Sequence, residues 1–160
     1  MIQLIDMTES EFSSYKPFLI EEYAQDIARN ARIPIDAARA RSNQQIDGLL
    51  DEGLATPDHF LYTIRLQDGE TDVQIGYLWL NVDEERHSCF ICDIYLHEPF
   101  RGQGWGTKTL ELLETQMMAQ NIQKIGLHVF GDNVVARALY TKLGYQVTGL
   151  NMQKWLAVKG

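Results

Sequence analysis

The sequence predicts an α/β (α+β) fold built around one mixed sheet, and three features carry that prediction. Strand-like and helix-like runs succeed one another in the order β-α-α-β-β-β-α-β-α-β-β. One run near the middle, Ser88 to Leu96, is apolar on both faces and so belongs inside a sheet that is covered on both sides. A glycine-rich turn then follows that run and opens directly into a helix.

Each element has its own warrant. Ile2 to Met7 is a short strand. Thr8-Glu-Ser-Glu offers a capping start, and Phe12, Tyr15, Leu19, Tyr23 and Ile27 keep helical spacing behind it. Pro34 marks a break, and Ala37 to Leu50 reads as a second helix ended by Glu52-Gly53. After Thr56-Pro57, His59 to Leu66 alternates as a strand, Asp68-Gly69 begins a turn, and Val73 to Val82 is the returning strand. A helix from about Gly104 to Gln120 carries Leu110, Leu113 and Met117 on one side. Lys124 to Phe130 is a strand, and Val134 to Leu143 is a helix closed by Gly144. Two short strands, Tyr145 to Thr148 and Asn151 to Ala157, complete the expected sheet. No repeat or linker interrupts the chain, so residues 1–160 are expected to form a single domain.

Composition narrows the class. The 160 residues are 45% hydrophobic, enough for a proper core. Lys and Arg number 14 against 22 Asp and Glu, a net charge of −8, which repels nucleic acid and anionic membranes and favours cationic partners. The first residues lack a basic stretch followed by an apolar one, and no apolar run approaches a membrane span, so the cytoplasm is the expected compartment. Cys89 and Cys92 form a nominal C-x-x-C within a strand. Positions three apart on a regular strand point to opposite faces, which argues against a redox or metal pair and for small buried apolar residues. No metal site is expected.

The functional signal lies in Arg101-Gly-Gln-Gly-Trp-Gly106. Bare amides at a helix start attract anions, because unsatisfied N–H donors and the helix dipole both favour negative charge. Two phosphate motifs fail on spacing. Glycines at 102, 104 and 106 do not make G-x-G-x-x-G, and Thr107 stands where the ATP-type loop needs glycine before Lys108-Thr109. A third pattern, Gln/Arg-x-x-Gly-x-Gly/Ala, is met in full by Arg101, Gly104 and Gly106. It resembles the coenzyme A pyrophosphate loop of the GNAT superfamily of acyl-CoA N-acyltransferases. Asn133-Val-Val-Ala-Arg-Ala-Leu-Tyr140, ending in Gly144-Tyr145, resembles that family's second signature. There an asparagine starts a helix and a tyrosine follows two turns later on nearly the same face. The strong resemblance runs from about Ile75 to Met152. Leu127-His-Val-Phe-Gly-Asp-Asn and Asn151-Met-Gln-Lys are similar to a subgroup of small bacterial members.

The resemblance implies transfer of an acyl group, most often acetyl, from acetyl-CoA to a primary amine. The backbone of Arg101, Gly102, Gln103, Gly104, Trp105 and Gly106, with Thr107, would hold the pyrophosphate. The strand backbone at Ile94, Tyr95 and Leu96 would pair with the pantetheine arm where the neighbouring strands splay, and one N–H there would polarise the thioester carbonyl. Asn133 would hydrogen-bond the coenzyme arm, and Tyr140 would protonate the departing thiolate. Trp105 is expected to pack beneath the loop or to touch the coenzyme, and the Arg101 side chain to face phosphate or solvent.

The amine must lose a proton, and Asp93 is the leading base: a carboxylate in an apolar strand whose burial would raise its pKa. The competing reading is an Asp bonded to backbone or orienting a neighbour. His128, expected in mid-strand, is second, and a water chain is the third option. His97 reads as a turn residue. Glu21, Glu22, Tyr23 and Asp26 lie on the first helix, either as a solvated face or as an attraction for a cationic acceptor. The acceptor itself stays open between small-molecule amines and a peptide or protein amine, and homodimer pairing, common in the family, stays open too. A non-catalytic acyl-CoA-binding sensor is the rival, and retention of both Asn133 and Tyr140 favours the enzyme.

Overall fold

The structure, a computed structural model, describes residues 1–157. It gathers into two compact units, Met1–His128 and a second that begins at Val129. The first unit holds a five-stranded sheet in the order β1-β2-β3-β4-β5. Its strands are β1 (Ile2–Asp6), β2 (His59–Asp68), β3 (Thr71–Asp83), β4 (Ser88–Leu96) and β5 (Lys124–Leu127). The first four are antiparallel, and β5 pairs parallel to β4. Three helices accompany them: α1 (Glu9–Ala31), α2 (Ile35–Leu49) and α3 (Trp105–Ala119). The second unit contains α4 (Val134–Lys142).

Local rules set most of these boundaries. Thr8 and Glu11 close a reciprocal capping box, with the Glu11 N–H donating to Thr8 Oγ1 at 3.1 Å and the Thr8 N–H to Glu11 Oε1 at 3.0 Å. Pro34 caps α2, and β4 has the expected bounds. Met7, Tyr15, Leu19, Ile46, Leu50, Leu61 and Trp79 form the core between α1, α2 and one face of the sheet. Burying side chains of this size contributes roughly 1.5–3 kcal/mol each. Leu78, Leu80 and Val82 alternate to the other face, and α3, the crossover between parallel β4 and β5, buries Leu110, Leu113 and Met117.

A β-bulge in β4 decides which way the site residues point. Trp79 lies opposite Asp93 and Leu80 opposite Ile91, so Cys92 is the extra residue. Cross-strand partners share a face. Ile91 therefore joins Leu80, while Asp93, two residues on, joins Trp79 on the face covered by α1. In a regular strand Ile91 and Asp93 would point the same way. Cys92 packs against the α1–α2 core cluster, and Cys89 lies opposite Val82 on the other face.

Two expectations are corrected. β5 ends at Leu127 rather than Phe130, so His128 lies beyond the strand instead of within it. Residues 145–157 carry no strand, although two were expected there. Alternation is a property of neighbouring residues, whereas a strand exists only through hydrogen bonds to another segment.

Candidate active site

In the first unit the site begins where the β4–β5 ladder stops. Their last parallel pair is Ile91 with Leu127, whereas β4 continues to Leu96, so residues 92–96 have no β5 partner. Ile94, Tyr95 and Leu96 lack a β5 partner because β5 itself ends at Leu127, whereas the expectation is two strands splaying apart. A 3-10 turn, Glu98–Phe100, leads from β4 into the glycine loop.

The loop is shaped by two glycines at positive φ: Gly102 at 73° and Gly104, the residue that caps α3, at 87°. Side chains with a Cβ rarely adopt that conformation. No side chain caps α3, and its first turn closes with the Lys108 N–H donating to Gly104 O at 3.1 Å. The amides of residues 102–107 have no acceptor among the described residues. Open donors at the positive end of a helix dipole make an anion site. Side chains brace the turn from below, with Gln103 Nε2 donating to Pro99 O at 2.8 Å and Trp105 Nε1 to Gln103 Oε1 at 3.3 Å. Trp105 is half-buried, and Lys108 Nζ stands 5.2 Å from its ring centre.

Arg101 turns away from the open amides. Its Nε donates to Leu96 O at 2.8 Å, and its guanidinium carbon lies 5.0 Å above the Tyr95 ring. The side chain stays exposed to solvent, one of its two expected settings, and ties the loop back to the end of β4.

On the α1 face of the sheet lies an aromatic group. Phe18 meets Tyr95 edge-on at 4.7 Å, Tyr77 stacks with Tyr95 at 6.5 Å, and the His97 ring stands edge-on to both tyrosines. His97 Nε2 is 2.9 Å from Gln74 Oε1, a firmer place than a turn residue needs, and burial, then Arg101, lowers its pKa. Beside this group, Tyr15 Oη donates to Asp93 Oδ2 at 2.6 Å. Burial raises the Asp93 pKa to about 6; Glu22 and Asp26 push the same way, and the Tyr15 hydrogen bond opposes them. The expected elevation of Asp93 is therefore present. Helical spacing marks Tyr15 only as a core position of α1 and carries no signal of its partner.

The acidic residues of α1 divide. Glu21 takes both Nε and Nη2 of Arg39 on α2, and those hydrogen bonds, with Gln25, lower its pKa to about 2. Asp26 pairs with Arg29 at 2.7 Å. The Tyr23 ring packs against the α1–α2 core. Glu22 has no ion-pair partner among the described residues. Burial raises the thiols of Cys89 to about 11 and Cys92 to about 12, which leaves both protonated and poorly nucleophilic at neutral pH.

In the second unit, Asn133 caps α4 by accepting the Ala136 N–H on Oδ1 at 3.2 Å. Tyr140 lies two turns on and meets the Tyr145 ring edge-on at 5.6 Å. Gly144, at φ 95°, ends the helix as expected.

The sequence model of the Acetyltransferase (GNAT) family matches residues 14–145. The chain belongs to the GNAT acetyltransferase family. It is 35% identical over 157 residues to the uncharacterized N-acetyltransferase YycN of Bacillus subtilis (strain 168), covering 97% of this chain and 99% of that one. The crystal structure of YycN superposes with a TM-score of 0.92 at 33% identity, over 99% of this chain and 100% of that one. The PaiA N-acetyltransferase from Thermoplasma acidophilum, solved with coenzyme A, shares the fold at a TM-score of 0.66 and 16% identity, over 94% and 93% of the two chains. The GNAT fold and acyltransferase class expected from the two signatures are borne out.

Proposed function

We propose that this GNAT protein moves an acetyl group from acetyl-CoA to a primary amine by direct attack. The observation that carries the reading is the open start of α3, where the amides of 102–107 stand without acceptors beside the unpaired edge of β4. The backbone from Arg101 to Gly106, with Thr107, holds the pyrophosphate. The edge at Ile94 and Tyr95 pairs with the pantetheine arm, and an N–H there stabilises charge on the thioester oxygen. The Leu96 carbonyl is already engaged by Arg101, so Leu96 contributes less to that pairing than its neighbours. Family likeness to a protein crystallised with coenzyme A, and the match from 14 to 145 across both units, support one acyltransferase domain with this donor.

The amine nitrogen attacks the thioester carbon, the new C–N bond forms, and the C–S bond breaks. Asp93 takes the proton from the amine, helped by a pKa near neutrality. Asp93, placed on β4 and held by Tyr15, is preferred to His128, which lies beyond the end of β5. Tyr140 protonates the leaving thiolate. Asn133 spends its Oδ1 on the α4 cap, which leaves its amide N–H groups to bond the coenzyme arm. A weakly nucleophilic Cys89 and Cys92 support direct transfer over a thioester on the enzyme. The acceptor is a small-molecule amine or a peptide or protein amine, and the reaction takes place in the cytoplasm. The test is release of free thiol from acetyl-CoA across a panel of amines and peptides. Tight coenzyme binding with no turnover on any member would instead mark a sensor.

A further inference from the structure

The hydrogen bond between Tyr15 and Asp93 joins residues 78 positions apart, one on α1 and one on β4. Several features make it more than a packing coincidence. Tyr15 is fully buried, and its ring lies 4.6 Å from that of Tyr77, so the phenol has little freedom to turn elsewhere. Asp93 faces α1 only because the bulge at Cys92 reverses the alternation of β4. The two oxygens of the carboxylate are then unequal. Oδ2 accepts from Tyr15, while Oδ1 takes no hydrogen bond from the described residues. Phe18, Tyr77, Tyr95 and His97 stand alongside on α1, β3 and the end of β4.

We propose that Tyr15 is a positioning residue for acyl transfer: its phenol holds Asp93 by Oδ2 and leaves Oδ1 to receive the proton of the acceptor amine. The inference rests on Asp93 acting as the base in the reaction above. An ionised Asp93 keeps the Tyr15 hydrogen bond, Oδ1 takes one proton as the amine attacks, and the protonated carboxyl returns it to water after product leaves. Tyr15 keeps its own proton throughout, since burial and the neighbouring carboxylate both raise its pKa well above the ordinary phenol value. The titratable groups that face Asp93 are Tyr15, Glu22 and Asp26 from α1 and Cys92 on its own strand, with Tyr77 of β3 reaching it through Tyr15. Burial first, then the charges of Glu22 and Asp26, disfavour the carboxylate, and the phenol hydrogen bond opposes them.

The test compares the full-length wild type with Y15F, D93N and the double variant. Y15F keeps the ring and removes only the donor. The Asp93 carboxyl is followed by carbon NMR against pH, with the signal assigned by its loss in D93N, and the pH profile of kcat/KM is measured with acetyl-CoA and the best amine. Loss of a hydrogen bond to a charged group is expected to move the Asp93 midpoint up by roughly one to two pH units. The acidic limb of the rate profile should move with it, with the KM for acetyl-CoA unchanged and no further loss when Y15F is added to D93N. An unmoved midpoint in Y15F overturns the proposal whether or not any amine is acetylated. An active D93N removes Asp93 as the base and Tyr15's role with it. A dead D93N beside a Y15F of unaltered profile leaves the base standing and reduces Tyr15 to packing. Thermal melts at pH 5, where the carboxyl is largely protonated in both proteins, check that Y15F is folded.

Discussion

Gly76 of β3 lies against the Tyr95 backbone so closely that a Cβ at 76 would collide with the Tyr95 carbonyl oxygen. Gly76 is paired with Leu96, so the close approach falls at the end of β4 where the backbone is proposed to meet the coenzyme arm. The obstacle is main chain, which cannot rotate aside. Gly76→Ala is expected to destabilise the protein by about 1–3 kcal/mol, as overpacking does. Urea unfolding measures that loss, and a raised KM for acetyl-CoA in the surviving fold would show that β4 had moved at residues 94–96.

Gly104 presents the opposite situation. Nothing lies within 4 Å of a Cβ built there, yet its φ of 87° is strained for any residue with one. Gly104→Ala should cost about 1–2 kcal/mol in conformation and weaken coenzyme binding, because the amides at the start of α3 would no longer converge. Calorimetric titration with coenzyme A reads the affinity directly. Unchanged affinity would count against the loop as the pyrophosphate site.

Tyr140→Phe should slow transfer without abolishing it. The thiolate of coenzyme A leaves readily, so the general acid contributes at the low end of the usual range, about 10²-fold. Lower kcat with unaltered coenzyme binding is the expected signature. A variant with full kcat would assign Tyr140 to packing against Tyr145.

The elevated Asp93 pKa has a consequence for folding. In the unfolded chain this carboxyl titrates near its ordinary value of 3.8, in the folded protein at about 6. Between those values the folded state holds the extra proton, so this group makes stability fall as pH rises from about 4 to about 6. Two pKa units correspond to up to about 3 kcal/mol. D93N should remove that slope and be more stable than wild type at pH 7, by about 1–3 kcal/mol, while differing little at pH 4. Denaturant unfolding at the two pH values checks it. Equal stability of the two proteins at pH 7 would contradict the elevated pKa.

What the sequence determined by itself is what depends on neighbours within one or two turns. The capping box of Thr8 and Glu11, the Asn133 cap and the positive φ of Gly102 and Gly104 all arise from bonds or preferences a few residues long. The two signatures, Arg101 to Gly106 and Asn133 to Tyr140, are local in the same sense, which is why family and donor could be read from them. The tertiary structure decided what depends on register between distant strands and helices. The Cys92 bulge turned Asp93 toward α1, where Tyr15 waits 78 residues earlier in the chain. Arg39 on α2 reaches Glu21 on α1, and the early end of β5 put His128 outside the strand. A one-residue slip reverses every side chain that follows it, and no local pattern announces where the slip will fall.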